Sequence, residues 1–134
     1  MTAPGATLGV MSIPVSTDQL ARTLEGYGPG YLLTTSGDGR VKAVTVEPQV
    51  ADGTLSVAGP GKGSVANVRA NPAVTLLFPP PEPRGYTLLV DGTAEVAGDD
   101  VRVTPATAVL HRPAAHADGP PPPDGCGHDC RPVG

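Results

Sequence analysis

Between residues 31 and 111 apolar side chains alternate with polar ones in short runs, and that period of two predicts strands. Tyr31 to Ser36 is the first run, and Gly37-Asp38-Gly39 is a tight-turn signal after it. The returning strand, Val41 to Val50, sets Val41, Ala43 and Thr45 on one face and Lys42, Val44 and Val46 on the other. Glu47-Pro48 marks an edge or bend in it, because proline cannot donate to a ladder. Asp52-Gly53 turns the chain into Thr54 to Ala58. Ala73 to Phe78, Tyr86 to Val96 and Val101 to His111 follow, with a bulge or turn expected near Asp91-Gly92 and a bend at Pro105. Only two stretches read as helices. Ser16-Thr17-Asp18-Gln19 has the capping-box spacing, and Leu20, Ala21 and Leu24 share a face, so a helix spans about 17–26 until Gly26, Gly28, Pro29 and Gly30 end it. Ser64 to Ala70 is the second, with Ser64 as N-cap and Asn71-Pro72 as stop. Six strands and two short helices predict an all-β protein, a six-stranded antiparallel barrel or sandwich. A barrel is preferred because closure removes exposed edges.

The ends lack this pattern. Residues 1–15 read as a flexible N-terminal segment, with Met11 a second candidate start. Residues 114–134 read as a Pro/Gly-rich flexible tail, whose removal should leave folding intact. The barrel then occupies residues 16–113. With 18 Gly and 17 Pro the composition hints at disorder, but eight of the prolines fall in two clusters, Pro79 to Pro83 and Pro120 to Pro123, and between them the chain reads as Val, Leu, Thr and Ala runs that can build a core. One Phe, three Tyr and no Trp make a core of small residues, and dimerisation would add buried surface.

The net charge of −4 argues against nucleic acid as a partner. No apolar run is long enough to span a membrane, and the first ten residues lack a basic region followed by an apolar one, so the expected location is cytoplasmic. Both cysteines lie in the tail, in Cys126-Gly127-His128-Asp129-Cys130. Free thiols are the first reading there, and metal or redox use the second.

The segment richest in chemistry runs from Leu55 through Gly59-Pro60-Gly61-Lys62-Gly63-Ser64 to Asn67 and Asn71-Pro72. Glycines let main-chain N–H groups approach an anion, and a helix start adds unpaired N–H groups and a positive dipole end. Lys62 and the Ser64 hydroxyl would add a charge and a donor, and together these groups suit a phosphate. An ordinary capped helix with a solvated lysine has the same sequence. The pattern is not a Walker loop, since Gly63 rather than Ser or Thr follows Lys62. His111-Arg112 reads as a solvated strand end, with anion binding the alternative, and Arg69 as facing solvent or a partner subunit, with a cofactor role the weaker alternative.

The hairpin Tyr-Leu-Leu-Thr-Thr-Ser…Asp-Gly-Arg, the stretch Ala-Asn-Val-Arg-Ala-Asn-Pro-Ala-Val-Thr-Leu and the later Tyr-Thr-Leu-Leu-Val-Asp-Gly-Thr-Ala-Glu-Val resemble the pyridoxamine 5'-phosphate oxidase-like split β-barrels, which include flavin and deazaflavin oxidoreductases. The resemblance covers about residues 16–113. It implies a homodimer with FMN, or alternatively FAD or a deazaflavin, in the groove between subunits, and hydride transfer to a small-molecule acceptor. It also implies that Val44, Thr45 and Val46 lie against the ring, and that Ala58, Gly61, Lys62, Gly63, Ser64 and Asn67 lie near the phosphate. Family members often carry a basic residue where this chain has Ser64; here the base stands at Lys62. A carrier or sensor that holds a flavin or haem without turnover is the alternative implied. Any chemistry would belong to the cofactor, because no nucleophile–base pair or carboxylate pair can be read from the spacing.

Overall fold

The alternation becomes eight strands in the computed structural model, which describes residues 10–123. β1 (Val10–Val15) leads through a 3-10 turn (Thr17–Gln19) into α1 (Leu20–Leu24). β2 (Gly30–Thr35), β3 (Val41–Val46), β4 (Gln49–Ala51) and β5 (Thr54–Val57) follow. Then come α2 (Lys62–Ala70), β6 (Ala73–Phe78), β7 (Thr87–Ala97), β8 (Asp100–Pro113) and a second 3-10 turn (Ala114–His116). All pairings are antiparallel, in the order β3-β2-β6-β7-β8-β5-β4, with β1 also beside β8. One edge of β8 holds β7 along its length; the other holds β5 at residues 101–103 and β1 at 108–113. That division gives the curled half-barrel of a split β-barrel fold, with two short helices.

Period-two alternation places the core inside the curl. Leu32, Leu55, Leu76, Leu88, Val90, Val103 and Leu110 are fully buried, and Phe78 meets the Tyr27 ring edge-on with centroids 6.4 Å apart. The helix α2 lies against β2 and β7 and buries Val68. Gly30 is required by packing: a Cβ there would stand 2.6 Å from Phe78 Cδ2. The expected bulge falls between Asp91 and Gly92, where Pro105 faces Gly92 across the ladder.

Four expectations need correction. The sheet has two more strands than six. β4 arises because Pro48 breaks the long second strand and Gln49–Ala51 folds back on β5. β1 lies in the segment expected to be flexible. Its alternation is interrupted by Pro14, which an edge strand tolerates, while Val15 is buried and Ile13 packs on the core. The first helix is a 3-10 turn plus five residues, and Ser16 accepts the Gln19 N–H through its carbonyl, with no side-chain cap. The second helix begins at Lys62, not after a Ser64 cap. Gly61 occupies the cap position with φ 104°, a left-handed value that suits glycine and turns the chain two residues earlier.

The C-terminal segment is the fourth correction. Residues 114–123 form a strap against the body, and Arg112 holds it. This side chain is buried rather than solvated: Nη1 donates to the carbonyls of Arg84 (3.1 Å) and Pro120 (2.8 Å), and Nη2 to that of Ala117 (3.3 Å). Its guanidinium carbon lies 4.0 Å from the centre of the Tyr86 ring. Arg84 pairs with Asp118 at 2.7 Å. The sequence from Cys126 to Cys130 lies outside the described residues. Among the described residues, no helix is long and apolar enough to cross a membrane.

Candidate functional site

The start of α2 is built on two left-handed glycines, Gly59 (φ 52°) and Gly61 (φ 104°). The Gly59 N–H donates to the Asp100 carboxylate at 3.0 Å, which ties this loop to the β7–β8 turn. The Val65 N–H is the first to find a helical acceptor, the Gly61 carbonyl at 3.1 Å. The amides of Lys62, Gly63 and Ser64 are therefore the N-terminal groups that a helix leaves without an internal partner. They sit at the positive end of the helix dipole.

Beside this helix start lies an open groove of about 530 Å³. Gly59 and Gly61 of the loop, Gly98 and Asp99 of the β7–β8 turn, and Lys62, Val65, Ala66 and Arg69 of the helix line it. Lys62, Ala66 and Arg69 recur at i, i+4 and i+7, so one helix face carries a cation near each end with a methyl group between. The Asp99 carboxylate is the one acidic lining group. A helix start and a lysine on the same groove suit a phosphate.

A third cation reaches the helix start from β3. A Cβ on Gly63 would stand 2.9 Å from Lys42 Cε and 3.4 Å from Lys42 Nζ, so the Lys42 side chain lies across Gly63 and explains the glycine. Beneath it, Ser64 is fully buried and its hydroxyl has no hydrogen-bond partner among the described residues. Ser64 does not line the groove, so it offers a groove ligand neither its hydroxyl nor its main chain. The Asn67 side-chain amide donates to the Thr34 hydroxyl at 3.0 Å, fixing α2 to β2.

The remaining predicted positions divide by face. Val46 is buried and Val44 packs on the core, whereas Thr45 is exposed and lies opposite Tyr31 on β2. Since β3 is an outer strand of the sheet, half of its main-chain N–H and C=O groups have no ladder partner. Ala58 is exposed at the end of β5, on the way into the loop. Sequence reasoning ranked Arg69 below a solvent-facing role and missed the approach of Lys42 and the place of Gly98-Asp99. Starting the helix at Lys62 would have put Arg69 on the Lys62 face; the strand register that brings Lys42 to Gly63 carries no local signal. Among the described residues there is no cluster of three or more His, Cys, Asp or Glu side chains able to hold a metal.

Comparison with known proteins places this arrangement. No protein-family model matches the chain. Uncharacterized proteins of Mycobacterium bovis and Mycobacterium tuberculosis are each 39% identical over 132 aligned positions, which cover 87% of this chain and 92% of theirs. Among solved structures, a candidate pyridoxamine 5'-phosphate oxidase of Listeria innocua superposes with TM-score 0.58 at 19% identity, covering 70% of this chain and 96% of that one. An FAD-binding protein of Mycobacterium smegmatis gives 0.58 at 18% identity, with 76% and 99% covered. An F420 reductase gives 0.54 at 20% identity, with 65% and 93% covered.

Proposed function

We propose that this chain, which belongs to one family with the two mycobacterial proteins and has the split-barrel fold, is a flavin- or deazaflavin-dependent oxidoreductase of the pyridoxamine 5'-phosphate oxidase-like superfamily. The observation that carries the reading is the groove at the start of α2, lined there by Gly59, Gly61 and the first helical residue Lys62, with Lys42 lying across the neighbouring Gly63. A flavin phosphate matches that donor set, and FMN is the smallest cofactor that brings one. Proteins of the same fold named for FAD and F420 support the choice of a flavin-type ligand.

In this reading Lys62, Lys42 and the exposed amides of Lys62 and Gly63 hold the phosphate, with Gly61 giving them room, and the buried Ser64 takes no direct part. Ala58 borders the entry to the loop. The ring lies along β3, where Thr45 offers its hydroxyl and the Val44–Val46 stretch its unpaired main-chain groups. Asn67 holds the helix in place through Thr34 and does not itself need to touch the ligand. The bound cofactor supplies hydride to a small organic acceptor; the protein supplies orientation and electrostatics. A second copy of the chain would close the other side of the ring against the exposed sheet face.

Titration of the purified protein with FMN, FAD and a deazaflavin, followed by ring absorbance, tests the binding. Stopped-flow reoxidation of the reduced complex with candidate acceptors tests the turnover. Saturable binding with acceptor-dependent reoxidation is expected. Binding without reoxidation would make the protein a carrier or sensor, and no binding of any of the three would refute the proposal.

A further inference from the structure

The groove at α2 leaves one motif of the chain without a use, Cys126-Gly127-His128-Asp129-Cys130. It gathers both cysteines and one of the three histidines in a single short stretch. Thiolate and imidazole are ligands for zinc-class ions, whereas magnesium and calcium take oxygen. One residue separates each ligand from the next, and in an extended chain residues so spaced point to one side. Cys126, His128 and Cys130 make three ligands, one short of a closed tetrahedral site, so the fourth comes from elsewhere in the molecule.

The strap at 114–123 supplies the link. Arg112 holds its carbonyls at Ala117 and Pro120, and Arg84 holds Asp118. Pro123, at its end, is seated beside the end of α1: a Cβ on Gly26 would stand 3.2 Å from Pro123 Cβ. Pro123 lines a groove of about 230 Å³ together with Gly26, Tyr27, Tyr86 and Glu82. Cys126 follows three residues later, so its Cα lies within about 11 Å of that of Pro123. Glu82 is exposed at this groove and forms no ion pair among the described residues. Fixing the chain at Pro123 shortens the loop that must close between Glu82 and the cysteines, which lowers its entropic cost. Charge favours the same ligand. Glu25 precedes Gly26, Asp124 and Asp129 flank the motif, and Arg84 is already engaged by Asp118. A divalent cation offsets that negative excess.

We infer that Cys126, His128 and Cys130 bind one zinc-class divalent cation, with the Glu82 carboxylate as the fourth ligand. The site would tie the chain beyond Pro123 to the groove between Tyr27 and Tyr86. It stands apart from the flavin reading and holds whether or not a flavin binds. The ligating forms are two thiolates and a neutral imidazole, so binding releases protons and weakens in acid.

The test titrates the full chain, reduced and stripped of metal by a chelator, with Co²⁺ and then with Zn²⁺. One Co²⁺ per chain is expected, with thiolate-to-cobalt charge-transfer absorption and the visible bands of a tetrahedral ion, and Zn²⁺ should bleach both. Cys126→Ser combined with Cys130→Ser should remove the charge-transfer band. His128→Gln and Glu82→Gln should each weaken Co²⁺ binding on the order of tenfold or more, with circular dichroism checking that the variants fold. Absence of the band in the reduced wild type would overturn the site and leave two free thiols. Co²⁺ affinity that survives the loss of both cysteines would mark an adventitious ion only and overturn it as well. Unchanged affinity in Glu82→Gln would overturn the link to the groove.

Discussion

Asp118 and Arg84 show how a single exposed pair contributes to the fold. The Arg84 side chain, through its hydrogen bond first and its charge second, holds the Asp118 carboxyl below its ordinary value of 3.8. The folded state thus favours the charged form. Its contribution is complete above 3.8 and is lost as pH falls through the lower folded value. Both partners are largely exposed, so the effect is small and screened by salt. Wild type should melt slightly above Asp118→Asn at neutral pH, and the margin should begin to shrink near pH 3.8 and vanish below the lower folded value, measured as melting temperature against pH. An undiminished margin in acid would show that the residue acts through packing. Ser64 teaches the opposite lesson at this scale. Its sequence position suggests a cap and a phosphate donor, yet its hydroxyl is buried, because the left-handed Gly61 starts the helix earlier. Backbone conformation at one glycine decided the role of a residue three positions on.

Strands were legible where alternation was uninterrupted. Tyr31, Val41, Thr54, Ala73 and Val101 lie at or within one residue of observed strand starts, because each core-facing run is bounded by Gly, Asp or Pro. The strands that escaped are the short or proline-bearing ones, β4 and β1, which long-range pairing creates and local pattern does not encode. The strap at 114–123 escaped for a related reason. Its proline and glycine make no periodic pattern, and what orders it is a distant side chain, Arg112, collecting carbonyls. Truncation after Pro113 removes two of the three carbonyls that Arg112 holds and leaves its buried charge short of acceptors. Urea unfolding should show a loss of about 1–3 kcal/mol relative to the full chain. A variant truncated there with unchanged stability would show that the strap does not hold the body.

Across the whole molecule, the split barrel presents an outer sheet face with Tyr31 39% and Val41 65% exposed, beside partly exposed Leu33, Leu77 and Leu89. A contiguous apolar face of this kind is a mark of association. We propose that a second copy covers it. Light scattering should give twice the chain mass, and Val41→Lys should shift the population toward monomer; a monomeric wild type would remove the shared groove from the account. The fold class was legible in the sequence because turns and alternation are local. The groove was legible only in part: Gly61 and Lys62 signalled it, whereas Arg69 and Asp99 join it through helix phase and tertiary placement, and Lys42 reaches Gly63 beside it. What the molecule does depends on whether the first turn of α2 holds a cofactor phosphate. The dissociation constant of the bound flavin, measured by fluorescence titration for wild type and Lys62→Gln, tests this most directly. A charge-assisted contact is worth about 1.5–3 kcal/mol, so the variant should bind roughly ten- to a hundredfold more weakly with its fold intact. A flavin that binds both proteins equally well would place its phosphate elsewhere and contradict the account.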